Sequence, residues 1–413
     1  MIFAAHIVYD PIMQDPPAPS PASMPTPKRD TVLDGLRGVA ALVVTFSHFV
    51  CAFLPAWLPI YAANPSWIAD TPFALLFNGS FPVAIFFVLS GFVIALTSSK
   101  LAYPMLLNCG IRYFRLALPA CASTIYAWIL LKLFASELES ARAIIGSPWL
   151  AASYGLDLPP FMTAVRDGLV DVFHTGDSAF NNVLWTMKKE FLGSCMIYAL
   201  YSRPAFRYRL YCLVLGLIAT LCVQRFSYTA FFAGALIYET RMRGNHSQYV
   251  HACLFLFSLL LGMFTTPFLE HHPALSILNH VPTLVAGDDT MSVWVTLGAI
   301  ALVYAARHLH FVRKLLMARP AQFLGRISFG LYLTHVPLLY TLFAGMAVST
   351  FLPWSARLVV LFLVYVPVIL TMGYIFTRVV DEPSLGALHR LRKWIWPARW
   401  LPHQSSPATP PAE

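Results

Sequence analysis

The stretch LDGLRGVAALVVTFSHF, residues 33–49, is apolar enough for a membrane helix yet carries Arg37 and His48. A hydrocarbon core about 30 Å thick is crossed by about 20 apolar residues in helix. Eleven residues separate the arginine from the histidine. Eleven steps of about 100° return to within about 20° of the start, so both face the same way, about 16 Å apart at 1.5 Å per residue. Ionisable groups at such depth cost several kcal/mol and face a cavity or a partner. An arginine at the mouth suits an anionic phosphate. A histidine inside suits proton transfer. The separation suits a long donor with phosphates at one end and its reactive group at the other. The same residues also fit a plainer role, with Arg37 snorkelling to the interface and His48 hydrogen-bonded in the core. Asp34, one turn before Arg37, is placed for an i, i+3 ion pair. It is about 21 Å from His48 and cannot form a dyad with it on one straight helix.

Working outward, the whole chain has this character. Of 413 residues, 58% are apolar and 11% charged, against roughly 45–50% and about 25% in soluble domains. Ten segments qualify as spans: 34–54, 79–98, 113–135, 181–201, 209–224, 226–240, 248–266, 291–306, 325–350 and 357–377. The expected fold is all-α, a polytopic membrane bundle of about ten helices. With the N-terminus in the cytoplasm, the inner segments hold 20 of the 28 Lys and Arg, the outer segments four and the spans four. This bias places both termini inside. The net charge of +9 does not point to nucleic acid, because the basic residues alternate with apolar spans and form no contiguous face. Seven cysteines without a CxxC pair argue for small buried side chains rather than a disulfide framework or a zinc site.

Residues 1–30 are Pro-rich and read as a disordered tail, without the basic start and apolar core of a signal peptide. Residues 31–383 form the transmembrane domain and 384–413 a cytoplasmic tail. Two outer loops are long, 136–180 and 267–290. The second, with Glu270, His271, His272, His280, Asp288 and Asp289, reads as solvated, or as a contact for an acceptor or metal. The sequon at Asn245 falls on the cytoplasmic side, and that at Asn78 lies close to the membrane, which argues against use of either.

Other spans carry polar residues. In FPVAIFFVLSGFVIALTSS, Ser90-Gly91 allows close helix packing, with a polar role for Ser90 as the second reading. Arg112 and Arg115, three apart in IRYFRLALP, serve positive-inside anchoring or join Arg37 in a phosphate cluster. In the fourth span, Trp185, Lys188, Lys189 and Glu190 fall near the outer surface, where Glu190 orients a histidine, pairs with a lysine or anchors the interface. In GRISFGLYLTHVPLL, Ser328, Tyr332 and His335 make one polar stripe, which must face protein or water. Asp381, Glu382 and Pro383 look like a helix stop.

Together these segments resemble the acyltransferase-3 family of multi-pass O-acyltransferases. The matching stretches are LDGLRGVAALVVTFSHF, FFVLSGFVI, RYFR, LWTMKKEF, FFAGALIY, GRISFGLYLTHVPLL and DEP, in the family's order from residue 33 to about 383. The first two are specific as a pair. The resemblance implies transfer of an acyl group, often acetyl, from coenzyme A to a hydroxyl on a carbohydrate, lipid or natural product. By its pattern Arg37 and His48 match the essential Arg and His, and Arg112 and Arg115 match the RxxR pair. Glu190 matches a glutamate after a Trp-Ser-Leu-like start, and Ser328, Tyr332 and His335 fall on the late Ser-Tyr-His stripe. The chain departs at Thr186-Met187-Lys188-Lys189, where the family is more apolar, and at Ala117-Leu118, where it often has Tyr-Pro.

The resulting expectation is a membrane O-acyltransferase of secondary metabolism. Acyl-CoA, acetyl-CoA first, is the co-substrate, and Arg37, Arg112 and Arg115 hold its phosphates. His48 is the general base, with Glu190 and His335 as further catalytic residues. No metal is expected. The acceptor is a small lipophilic alcohol. The other partner is the bilayer, and no nucleic acid is involved. The Pro-rich tail points to a eukaryotic endoplasmic reticulum or plasma membrane. The alternative is a proton-coupled transporter, against which the absence of repeat symmetry counts.

Overall fold

The computed structural model describes residues 30–62, 65–100, 103–202, 207–240, 247–279, 292–349 and 351–396. The Pro-rich tail 1–29, the Asn245 sequon, and His280, Asp288 and Asp289 of the second outer loop lie outside these residues. The described residues are helical, with no strand among them. Each of the ten apolar segments holds a helix. Five helices are long and apolar enough to cross a membrane, or six if one bent pair counts as a span.

The first helix, α1 (Thr31–Phe53), is followed by three 3-10 turns and α2 (Ser80–Lys100). The third, α3 (Met105–Ile145), is 41 residues long. At 1.5 Å per residue it outruns a bilayer core about twofold. It is kinked at Phe134 and ended by Gly146, whose φ of 66° is the left-handed cap that favours glycine. Next come α4 (161–174), with a π turn at Asp167–Asp171, and α5 (Trp185–Tyr201). Shorter helices follow: α6 (Arg209–Cys222), α7 (Phe226–Glu239) and α8 (Gln248–Met263). Then α9 (Val293–His308) bends by 90° into α10 (His310–Leu316). The chain closes with α11 (Arg319–Ser349) and α12 (Trp354–Ile395).

The packing that positions the site is that of α1 on α11. A Cβ on Gly38 would stand 2.3 Å from the Gly325 nitrogen, and one on Gly325 would stand 2.3 Å from the Asp34 carbonyl oxygen. Only hydrogen at both positions lets the backbones approach this closely, as small residues do between membrane helices. The helices run parallel, with α12 crossing back so that the Tyr365 hydroxyl donates to the Thr45 carbonyl at 3.0 Å. On the far side, Gly91 of α2 meets the Phe231 carbonyl of α7, which a Cβ would approach to 2.0 Å. The packing role expected for Ser90-Gly91 is therefore present.

Three sequence expectations need correction. The stretch 136–180 is not a free outer loop. Its first ten residues continue α3, and α4 lies along α3, where Thr124 Oγ1 donates to the Ala164 carbonyl at 2.7 Å and Trp128 Nε1 to the Pro159 carbonyl at 2.9 Å. The chain then enters the core: Asn181, fully buried, donates to Ser123 Oγ at 2.7 Å and to the Leu333 carbonyl at 2.9 Å. Asp381-Glu382-Pro383 does not stop a helix. A π turn at Thr377–Asp381 takes up the register and α12 runs on to Ile395, with Pro383 directly after that turn. Finally, Glu190 is not at the surface opposite Arg112, because the two side chains form an ion pair.

Candidate active site

Two imidazoles meet at the centre. His48 of α1 and His335 of α11 lie edge to edge and nearly coplanar, with ring centroids 5.1 Å apart and an interplanar angle of 11°, and His48 Nδ1 is 2.8 Å from His335 Nε2. The other nitrogen of His335, Nδ1, is 2.9 Å from the Leu331 carbonyl oxygen. A carbonyl only accepts, so Nδ1 of His335 carries the proton of that bond. In the neutral ring Nε2 is then a lone pair, and His48 Nδ1–H donates to it. The consequence is at His48: its Nε2 is the unprotonated nitrogen and makes no hydrogen bond among the described residues. The pair is one unit, with His335 fixing the tautomer of His48.

His48 lines a cavity of about 260 Å³ at the end of α1. The 3-10 turns after α1 form much of its wall, with Trp57 and Phe77. Tyr61, Trp149, Trp185, Phe268 and Tyr332 complete the aromatic lining. Among the described residues none that line it is Asp, Glu, Lys or Arg. Trp149 is the residue that sequence reasoning missed. It stacks on His48 at 5.3 Å and meets Tyr340 at a tilt of 37°, with ring centroids 4.7 Å apart. Its turn, Pro148–Ala151, is tied to the end of α1 by Ser147 Oγ donating to the Cys51 carbonyl at 2.7 Å. Trp149 sits in a stretch read as a long outer loop, and only its size and apolarity hinted at burial.

The arginines lie toward the opposite end of α1, and each has a carboxylate. Arg37 is 3.6 Å from Asp34, the i, i+3 pair expected from the spacing. Arg112 pairs with Glu190 and donates through Nε to Ser194 Oγ at 3.0 Å. Glu190 also accepts from Ser90 Oγ at 2.6 Å. Glu190 thus engages an arginine and a serine, not a histidine or a lysine. Lys188 donates to the His174 carbonyl at 2.7 Å, and Lys189 stands 4.6 Å over the Trp185 ring. Arg115 pairs with Asp381 and lies 5.2 Å over the Phe329 ring. A guanidinium has five N–H donors, so these contacts leave others for an anion.

Between the two ends runs a column of polar groups. Glu190 is one helical turn from Thr186, whose hydroxyl is 2.9 Å from that of Tyr332. Tyr332 donates to the Val183 carbonyl at 2.8 Å, and its ring lies 6.2 Å from that of His335. Ser328, lower on the stripe, bonds within α11 to the Gly325 carbonyl at 2.9 Å. Of the acidic and histidine residues in the second outer loop, His272 bonds Asp70 at 2.9 Å. Among the described residues no three His, Cys, Asp or Glu side chains are grouped to hold a metal.

A family model for an acyltransferase domain, that of the acyltransferase-3 family, matches residues 30–376. An O-acetyltransferase of Phomopsis amygdali, PaAT-1, is 26% identical, over 75% of this chain and 72% of its own length. No solved structure matches.

Proposed function

The chain belongs to the acyltransferase-3 family, and from that premise we propose that it moves an acyl group, acetyl first, from acyl-CoA to the hydroxyl of a small lipophilic acceptor with His48 as general base. Acyltransferase activity follows from the family and from the O-acetyltransferase relative. The reading beyond that is carried by the histidine pair, which leaves His48 Nε2 as a bare lone pair at the edge of an apolar cavity.

In the proposed step His48 Nε2 accepts the acceptor's hydroxyl proton as its oxygen attacks the thioester carbonyl. The carbon–sulfur bond breaks, and the imidazolium returns the proton to the departing thiolate. His335 holds the imidazole in the needed tautomer and accepts from its Nδ1–H throughout. The cavity takes the acceptor. Its volume of about 260 Å³ is below the roughly 300–1,000 Å³ of drug-sized sites, and the uncharged lining suits a compact apolar alcohol over a sugar polymer. Arg37, Arg112 and Arg115 receive the phosphates, and the pantetheine arm follows the polar column from Glu190 to Tyr332. Donor and acceptor then approach His48 from opposite ends of the bundle. We read the ten apolar segments as ten crossings with both termini in the cytoplasm, which puts the donor on the cytoplasmic side.

The test uses purified protein in detergent with acetyl-CoA and a panel of small lipophilic alcohols. Wild-type protein should release coenzyme A only with an acceptor present. His48→Ala should lower kcat by about 10²–10⁴ with its fold intact. A well-folded His48→Ala with the wild-type rate would remove the proposed role.

A further inference from the structure

We infer that Arg392, on the helix beyond the family match, binds the phosphate monoester on the ribose of the acyl-CoA donor, a proposal that rests on the donor assigned above. The matched family region ends at residue 376. Because Asp381-Glu382-Pro383 passes through a π turn, α12 continues and packs on α3. Arg392 lies inward on this extension, with its guanidinium carbon 5.0 Å over the ring of Tyr103, just before α3 begins. The guanidinium groups of Arg392 and Arg112 both lie within electrostatic range of Tyr198 of α5. Arg392 therefore belongs to the same end of the bundle, and the same α3–α5 face, as the cations already assigned to the donor.

Its pairing sets it apart. Arg112 and Arg115 have Glu190 and Asp381, while Arg326 and Arg378 share Glu382. Arg392 has no carboxylate partner among the described residues, and its buried Nε lacks any hydrogen-bond acceptor. A buried N–H without an acceptor costs free energy that a bound anion recovers. The cation–π contact with the Tyr103 ring uses none of the guanidinium N–H donors, which leaves them for a ligand.

Position along α3 selects the phosphate. Tyr103 lies just before α3 and Arg112 seven residues into it, about 10 Å along the axis, and Glu190, the partner of Arg112, is one turn from Thr186, which bonds Tyr332 beside His335. A donor whose thioester reaches His48 presents its diphosphate first and its ribose phosphate farther out. The diphosphate falls to Arg112 and Arg115, and the outer dianion to Arg392.

The experiment compares acetyl-CoA with 3′-dephospho-acetyl-CoA on the wild type, Arg392→Ala, Arg392→Lys and the neighbouring exposed Arg390→Ala, in neutral detergent. Arg392→Ala should raise KM for acetyl-CoA by about ten- to a hundredfold with kcat unchanged, as expected for a lost charge-assisted bond. Arg392→Lys should recover part of that. Wild type should show the raised KM with the dephospho donor, and Arg392→Ala should raise it no further. Arg390→Ala should behave as wild type. An unchanged KM in Arg392→Ala, or an equal rise with both donors, would overturn the assignment while the donor reading stands. A defect seen only in anionic-lipid vesicles would give Arg392 to a lipid headgroup and equally overturn it. A wild type that uses neither donor would bring down both readings.

Discussion

His48 donates through Nδ1 to Nε2 of His335 because His335 spends its own Nδ1–H on the Leu331 carbonyl. The direction of one hydrogen bond is thus set by another inside a single helix, and the chemistry of α1 is fixed by the backbone of α11. Glutamine at 335 can imitate both halves of this arrangement, accepting with its oxygen and donating with its nitrogen. His335→Leu should lower kcat about 10- to 100-fold, and His335→Gln should recover a clear part of it. Equal losses in the two variants, measured on protein of matched thermal stability, would mean that tautomer control is not what His335 supplies.

Glu190 and Arg112 are mostly buried, at 12% and 20% side-chain exposure. Removing one partner strands the other charge. Glu190→Ala should destabilise the protein by about 3 kcal/mol, and Arg112→Met/Glu190→Met should regain most of it. Thermal melting in detergent reads both. A single variant as stable as wild type would show that the pair is not needed for the fold.

Asp167 gives a stability dependence on pH. Burial against α3 pushes its carboxyl up from the ordinary 3.8 to about 6, with the Ser178 hydroxyl opposing and Asp171 and Asp177 adding. The folded chain therefore binds this proton more tightly than the unfolded chain. Stability should fall as pH rises from about 4 to about 6 and carry a fixed penalty above. Asp167→Asn should match wild type near pH 4 and exceed it at pH 7 by about 1–2 kcal/mol, discounted for partial solvation. A variant less stable than wild type at pH 7 would contradict this.

The sequon at Asn78 should be unmodified. Its Nδ2 donates to the Gly262 carbonyl at 2.6 Å, and its Oδ1 accepts from the Ser80 and Phe81 amides at 3.0 and 3.2 Å, capping α2. Treatment with an endoglycosidase should leave the electrophoretic mobility of protein from a glycosylating host unchanged. Asn78→Ala should lower stability by about 1 kcal/mol through loss of the cap.

Much of this was legible in the sequence. Apolar length located a helix in each of the ten segments, and i, i+3 spacing gave the Asp34–Arg37 pair. Depth in the bilayer marked His48 and His335 as residues that need partners, but it could not name each as the other's partner, since 287 positions separate them. Glu190 was misplaced because residues 161–184 return into the bundle instead of staying outside, and α4 carries Arg166, Asp167 and Asp171, which mask it in any hydropathy reading. Trp149 was lost because its stretch was read as an outer loop, whereas Ser147 ties its turn to the end of α1. The helix beyond Pro383 was hidden by a π turn, which no residue pattern announces.

Gly38 stands ten positions before His48, and Gly325 stands ten before His335. Two matched rulers therefore lie side by side, zeroed where the glycines touch and read where the imidazoles do. A single alanine inserted into either interval would swing one ring by about 100° and lift it by about 1.5 Å. It would uncouple the pair while leaving every residue of the chain in place.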